Sequence, residues 1–327
     1  MSASYTQPMI VITGGAGFIG SNLHAALVGR GHAPVVVDTL GAQGQWRNLA
    51  QHPPARLVHP GALAAFLAEQ PPIDAIMHLG AISDTTATDG DLVWATNVDL
   101  SQRLFDWCIQ HGARFIYASS AATYGDGRHG FDDDPALLAS LRPLNLYGWT
   151  KHAFDLHVHA AVARPRQCVG LKFFNVYGPN EYHKGPMISV VNRKYEEVAA
   201  GHAARLFRSD RADVADGEQR RDFIHVDDTV NAMLWLLDHP DVSGLFNLGT
   251  GTARSYRDLA HAVCDAAGRP RAIEYVDMPA ALHGQYQSYT QARMGRLRAA
   301  GYDRPFTSLE DGVGAYVAQL AGANPYI

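Results

Sequence analysis

Short, mainly apolar runs recur along the chain, at 9–13, 34–38, 75–79, 114–119 and 167–173. Between them lie longer stretches, such as 19–30 and 92–111, in which apolar residues return every three or four positions. A strand with one face in water alternates polar and apolar residues; a run that is apolar throughout needs cover on both faces. Strands of that kind alternating with helices predict a doubly wound parallel α/β sheet.

After 177–179 the pattern loosens into a loop containing glycine and histidine, followed by a helix near 188–200. Residues 208–222 pack nine charged residues into fifteen, which reads as a solvated surface loop. A strand and helix over 223–237 and a strand over 245–248 are expected to rejoin the first unit. The expected organisation is therefore two interleaved domains: a larger one from 1–175 with 223–249, and a smaller one from 176–222 with 250–327.

Composition narrows the class. A chain of 327 residues, 47% hydrophobic, 18% charged and with a formal net charge of -5 is expected to be globular, with no bulk charge that calls for nucleic acid. Cys108, Cys168 and Cys264 are isolated in sequence and suggest neither a disulfide framework nor a zinc motif, so a reducing, cytoplasmic setting is expected. The first residues carry no basic signal-peptide segment, and no apolar run reaches the roughly 18 residues of a membrane span. Sixteen histidines raise the question of a metal, but no HExxH or paired-cysteine pattern accompanies them. No metal is expected, and His152, His157 and His159 read as helix-surface residues.

Candidate chemistry begins at TGGAGFIG, which follows the first strand and opens the first helix, with Gly14, Gly17 and Gly20 three apart. Gly14 permits the tight turn, Gly17 lets backbone approach a diphosphate, and Gly20 allows close helix packing. A diphosphate there would meet the free N–H groups of the helix start, at Phe18 and Ile19. Asp38 closes the next strand, where a carboxylate can accept from ribose hydroxyls. The expected arrangement is a Rossmann one, which makes the larger domain dinucleotide-binding and the smaller one substrate-binding. Thr39 and the strand-end residues Leu79, Gly80 and Ala81, with Asn97, complete the residues assigned to the dinucleotide. The Asp38 charge disfavours a 2′-phosphate, so NAD is favoured, with Arg47 as the cation that would instead admit NADP.

Tyr147 and Lys151 are spaced i, i+4 in LNLYGWTKHAFD, which puts both on one helical face. A neighbouring ammonium is expected to stabilise a phenolate, so Tyr147 can exchange a proton with a hydroxyl undergoing oxidation while Lys151 holds the nicotinamide ribose. The run FIYASS ends in hydroxyls at the carboxyl edge of a parallel strand, and Ser120 can hold the same substrate oxygen. Its alternative role is a helix N-cap.

Together TGGAGFIG, ASSAATYG, YGWTK and FFNVYGP resemble the extended short-chain dehydrogenases that act on sugar nucleotides, the NAD-dependent epimerase/dehydratase family. HLGAISDTTATDGD, NEYHKGPMISV, RRDFIHVDD and LRAAGYDRPF resemble, within it, the enzymes that epimerise ADP-heptoses at C6. The resemblance implies an enzyme that oxidises and re-reduces C6 of an ADP-heptose on tightly bound NAD or NADP, and a chain that self-associates. It also implies a second acid/base, Lys184, opposite Tyr147. Ser83, Asp84, Thr85, Asn175, His183, Arg221 and Tyr286 are the further residues expected near substrate. The chain departs from the pattern at Gln45, where relatives that favour NADP carry lysine, and at Gly284-Gln285-Tyr286, where the family has Gly-Arg-Tyr. The Asp-Glu pair that dehydratases carry after the active-site serine is Ala121-Ala122 here, which argues against elimination. A catalytically silent dinucleotide sensor would not need the serine, tyrosine and lysine together.

Overall fold

The computed structural model describes residues 8–69, 71–279 and 287–327. Seven parallel strands form its main sheet: β1 (Met9–Thr13), β2 (Val35–Val37), β3 (Arg56–Val58), β4 (Ile73–His78), β5 (Arg114–Ser120), β6 (Cys168–Phe173) and β10 (Gly244–Leu248). Their order is β10-β6-β5-β4-β1-β2-β3. The chain winds outward from β1 in both directions, so the carboxyl ends of β1 and β4 flank the point where the order reverses, which is where open α/β sheets bind ligands.

Alternate residues of each strand serve opposite faces. Ile10, Ile12, Met77, Ile116, Val169 and Leu171 pack with α1 (Phe18–Gly29) and α7 (Val226–Asp238). Val11, Ile76, Phe115, Tyr117 and Cys168 pack on the other side. Cover there comes from α2 (Leu63–Ala68), α4 (Leu100–His111) and α5 (Leu146–Ala160). Both faces are covered, which explains why the predicted strands were apolar throughout. The second predicted helix is broken. A short α3 (Gly90–Trp94) passes through a π turn (Ala95–Asp99) into α4.

The remaining strands make two small sheets. β7 (Asn175–Tyr177), β9 (Arg220–His225) and β11 (Ala253–Ser255) form one; β8 (Ala204–Phe207) and β12 (Ile273–Val276) form the other. Helices α6 (Val190–Ala199), α8 (Tyr256–Ala266) and α10 (Leu309–Leu320) gather around Tyr177, Phe223, Leu259, Val313 and Tyr316 in a separate core, and α9 (Gly295–Ala299) packs beside β10. The charged segment 208–222 is only partly a loop: its last three residues begin β9, and its earlier charges form local pairs such as Arg211 with Asp213. Among the described residues no helix is long and apolar enough to cross a membrane. The three cysteines are buried and free.

The histidines of α5 depart from expectation. His152 is buried and His157 stacks on Phe154, leaving only His159 exposed, because α5 lies between the sheet and its neighbours rather than on the surface. No group of three potential metal ligands occurs among the described residues.

Candidate active site

A cavity of about 530 Å³ opens between the carboxyl edge of the main sheet and the smaller lobe. Its floor is the glycine-rich turn. Gly14 has φ +70°, and a Cβ there would lie 2.6 Å from the Gly80 backbone nitrogen; one on Gly20 would collide with the Gly14 carbonyl oxygen. Glycine is therefore required at both positions by backbone approach. Helix α1 starts at Gly17 with no side-chain cap and no acid in its first turn. Its first N–H groups are left for a ligand, and Phe18 and Ile19 line the cavity. This turn fits the diphosphate of a dinucleotide.

Asp38 also lines the cavity, fixed by the backbone N–H groups of Ala16 at 2.9 Å and Thr39 at 2.7 Å. Burial raises its carboxyl above the ordinary value against those hydrogen bonds. Thr39 and Arg47 lie outside the cavity lining; Arg47 is exposed with its guanidinium over Trp46, and Gln45 reaches the cavity instead. Leu79, Gly80 and Ala81 line the opposite side. Asn97 does not: its amide is spent on the Ile82 backbone, at 2.8 and 3.0 Å, and on Thr150 Oγ1 at 3.1 Å. From the π turn it clamps the loop after β4 to α5.

The spacing of α5 places Tyr147 and Lys151 together in the cavity with Ser120, at the end of β5. Ser120 takes the capping role foreseen for it and faces Tyr147 as well. Its Oγ accepts from Ala122 N at 3.1 Å, capping the turn Ala121–Tyr124, and it hydrogen-bonds the Tyr147 phenol. Electrostatics differ from the expectation for Tyr147. Burial raises its phenol above the usual value, and the Ser120 hydrogen bond opposes this. Burial lowers the Lys151 ammonium to about 8, opposed by Asp155. In a dry site the cost of charging the phenol exceeds the help from its neighbours.

The smaller lobe contributes Asn175, His183 and Lys184, and the loop after β4 contributes Ser83 and Thr85. Lys184 Nζ stands 5.2 Å from the Phe18 ring centre, and burial lowers its ammonium against the nearby Glu181 carboxylate. Asp84 lies outside, capping its own loop through Thr86 N at 2.8 Å and Thr86 Oγ1 at 2.7 Å. Arg221 is buried on β9 with its guanidinium 5.6 Å from the Tyr256 ring, outside the cavity lining. Tyr286 falls outside the described residues.

A seam under the cavity escaped the sequence. Asn22 Nδ2 donates to the Pro179 carbonyl at 3.0 Å, Asn180 Nδ2 to Ser21 Oγ at 3.0 Å, and Asn48 Nδ2 to the carbonyls of Ala16 at 2.9 Å and Asn180 at 3.0 Å. Asn48 also meets His183 Nδ1 at 3.2 Å. Asn180 takes φ 70°, a left-handed conformation that asparagine tolerates better than most residues. No periodicity announces such contacts, since their partners are 32 to 159 residues apart.

Residues 10–249 match the NAD dependent epimerase/dehydratase family. The chain belongs to that family. It is 48% identical, over 98% of its length and all of the relative's, to an ADP-L-glycero-D-manno-heptose-6-epimerase of Nitratidesulfovibrio vulgaris. Its fold is similar to the crystal structure of the Helicobacter pylori ADP-L-glycero-D-manno-heptose-6-epimerase, with a TM-score of 0.80 and 27% identity over 98% of each chain. It is also similar to a Thermus thermophilus UDP-glucose 4-epimerase in complex with NAD, with a TM-score of 0.75 and 25% identity over 96% of this chain and 99% of that one.

Proposed function

We propose that this protein epimerises an ADP-heptose at C6 by transient oxidation and re-reduction, using a nicotinamide dinucleotide that stays bound through the cycle. The observation that carries the reading is one cavity holding both an uncapped glycine-rich helix start and the Ser120, Tyr147 and Lys151 group, in a chain half identical to a heptose epimerase. Gly14, Gly17, Gly20, Asp38 and the strand end 79–81 would hold the dinucleotide, which supplies a hydride acceptor and donor when bound. Tyr147 takes the proton of the substrate hydroxyl, Ser120 Oγ donates to the same oxygen, and the Lys151 ammonium favours the anionic forms of both. Lys184, from a separate segment on the smaller lobe, serves the other epimer. Asn175 and His183 sit beside it to orient the sugar.

NAD is the preferred dinucleotide in this reading. The fixed Asp38 charge repels a 2′-phosphate, Gln45 at the cavity is neutral, and Arg47 is turned onto Trp46. The test is to incubate the purified protein with an ADP-heptose of single C6 configuration and follow the epimer ratio by proton NMR. Mass spectrometry of the denatured protein identifies the dinucleotide it carries. Progress towards a mixture of epimers with NAD recovered is expected; an unchanged ratio beside turnover of a UDP-sugar would overturn the substrate.

A further inference from the structure

Behind the proposed proton-transfer group lies a charge pair that the mechanism leaves unused. Asp155 and Lys172 are buried, at 1% and 0% exposure, with Lys172 Nζ 2.7 Å from Asp155 Oδ2. An ion pair withdrawn from water this completely loses much of its attraction to desolvation, and apolar residues of similar size often serve stability as well. Its connections suggest another use. Asp155 follows Lys151 by four residues and Tyr147 by eight on α5, so all three share one helical face. Asp155 also accepts from Ser119 Oγ at 2.7 Å and from the Tyr117 hydroxyl at 3.1 Å.

Lys172 completes the ring from the adjacent strand, where β6 pairs Lys172 with Ser119 and Phe173 with Ser120. Its ammonium donates to Thr123 Oγ1 at 2.6 Å, and Thr123 in turn donates to the Ser120 carbonyl at 2.8 Å. Ser120 is thus held on one side through Ser119 and on the other through Thr123, and both holds end on the same ion pair.

We propose that Asp155, braced by Lys172, is a positioning residue for proton transfer, fixing Ser120 from behind the strand and supplying the negative charge that faces Lys151. The inference rests on the reading of Tyr147 and Lys151 given above. Electrostatics agree with the geometry: Asp155 opposes the fall of the Lys151 ammonium and adds to the rise of the Tyr147 phenol. The other groups around the pair are uncharged near neutral pH. His78, which faces Lys151 from β4, is lowered to about 3 by burial; burial also raises the Tyr117 and Tyr124 hydroxyls and lowers His152. Asp155 is therefore the carboxylate that sets the charge balance behind the site.

The experiment compares Asp155→Asn, the double variant Asp155→Asn/Lys172→Met and Lys172→Arg with wild type. The double variant leaves no unpaired buried charge, so it keeps the test open if Asp155→Asn alone fails to fold. Two profiles are measured from pH 5.5 to 9.5: kcat with the sugar nucleotide the enzyme turns over, and the affinity for NAD by fluorescence titration. Loss of the Asp155 charge should lower both ionisations, so the kcat profile of Asp155→Asn moves to lower pH by roughly one unit, and that of the double variant moves the same way by less, because the Lys172 charge is gone as well. At pH 8 kcat of Asp155→Asn falls about fivefold, KM stays within twofold, and the alkaline limb of NAD binding moves with kcat. Lys172→Arg, which keeps the pair, should restore the wild-type profile. Profiles that superpose on wild type in both assays, whatever the change in thermal stability, overturn the proposal. Failure of the underlying reading is recognised separately, by full turnover in Tyr147→Phe.

Discussion

Burial acts on Tyr147 and Lys151 in opposite senses, raising the phenol and bringing the ammonium down to about 8. The two groups, close in their ordinary values, move apart, so the phenol holds its proton more tightly than the ammonium does. Replacing Tyr147 by Phe removes the transferable proton but keeps the ring, so kcat should fall by about 10² to 10⁴ while NAD affinity stays within a few-fold. Near-normal epimerisation in that variant would disprove the assignment. The pH dependence follows from the Lys151 value. Lys151 is an ammonium below about 8 and loses its proton above it, so turnover should hold on the acid side of 8 and decline on the alkaline side. A profile still rising at pH 9 would exclude a required ammonium. At this scale much was legible: the i, i+4 spacing and the strand-end hydroxyls brought Ser120, Tyr147 and Lys151 forward. Asp155 had a signal too, since it continues the same helical face, as did Lys172, a charge inside an otherwise apolar strand. Each was passed over because a charge in sequence reads as a solvated one until its partner is known, and theirs are 17 residues apart.

Helix α1 shows how strictly an element can depend on one atom. A Cβ on Gly20 would collide with the Gly14 carbonyl, whereas one on Gly29, near the other end of the helix, meets nothing within 4 Å. Gly20→Ala should therefore cost about 1–3 kcal/mol and weaken NAD binding at least about tenfold, because the helix start must move off the turn. Gly29→Ala should be neutral or stabilising by up to about 1 kcal/mol through better helix propensity. Denaturant midpoints and an NAD titration separate the two, and equal behaviour would contradict the close-packing account. The long central strands were readable because cover on both faces makes them apolar throughout. β3, β7 and β11 were not, being three residues each and too short for any periodicity. The π turn was likewise hidden, since 92–111 keeps a helical rhythm across it and only the demand to aim Asn97 at Ile82 and Thr150 explains the break.

At the scale of the whole molecule, the lobes meet over the asparagine seam as well as around the cavity. Asn180 does not line the cavity, yet it ties Ser21 of α1 to the segment that carries His183 and Lys184. Asn180→Gly keeps the left-handed backbone available and removes only the side chain, so it should weaken NAD binding several-fold at a residue the dinucleotide does not reach. It should also shrink the thermal shift produced by NAD, which for wild type at a hundredfold excess over Kd corresponds to about 2.7 kcal/mol. An unchanged titration and shift would mean that the seam is passive. The apolar pattern does not announce this stitching, which depends on single polar side chains meeting distant backbone. The helix start under the proposed hydride carrier and the segment bearing Lys184 hang from the same few amides, so displacing that segment should loosen the hold on the dinucleotide. On the proposed reading, sugar exchanges while the carrier stays seated and is returned to its oxidised form before the next molecule arrives.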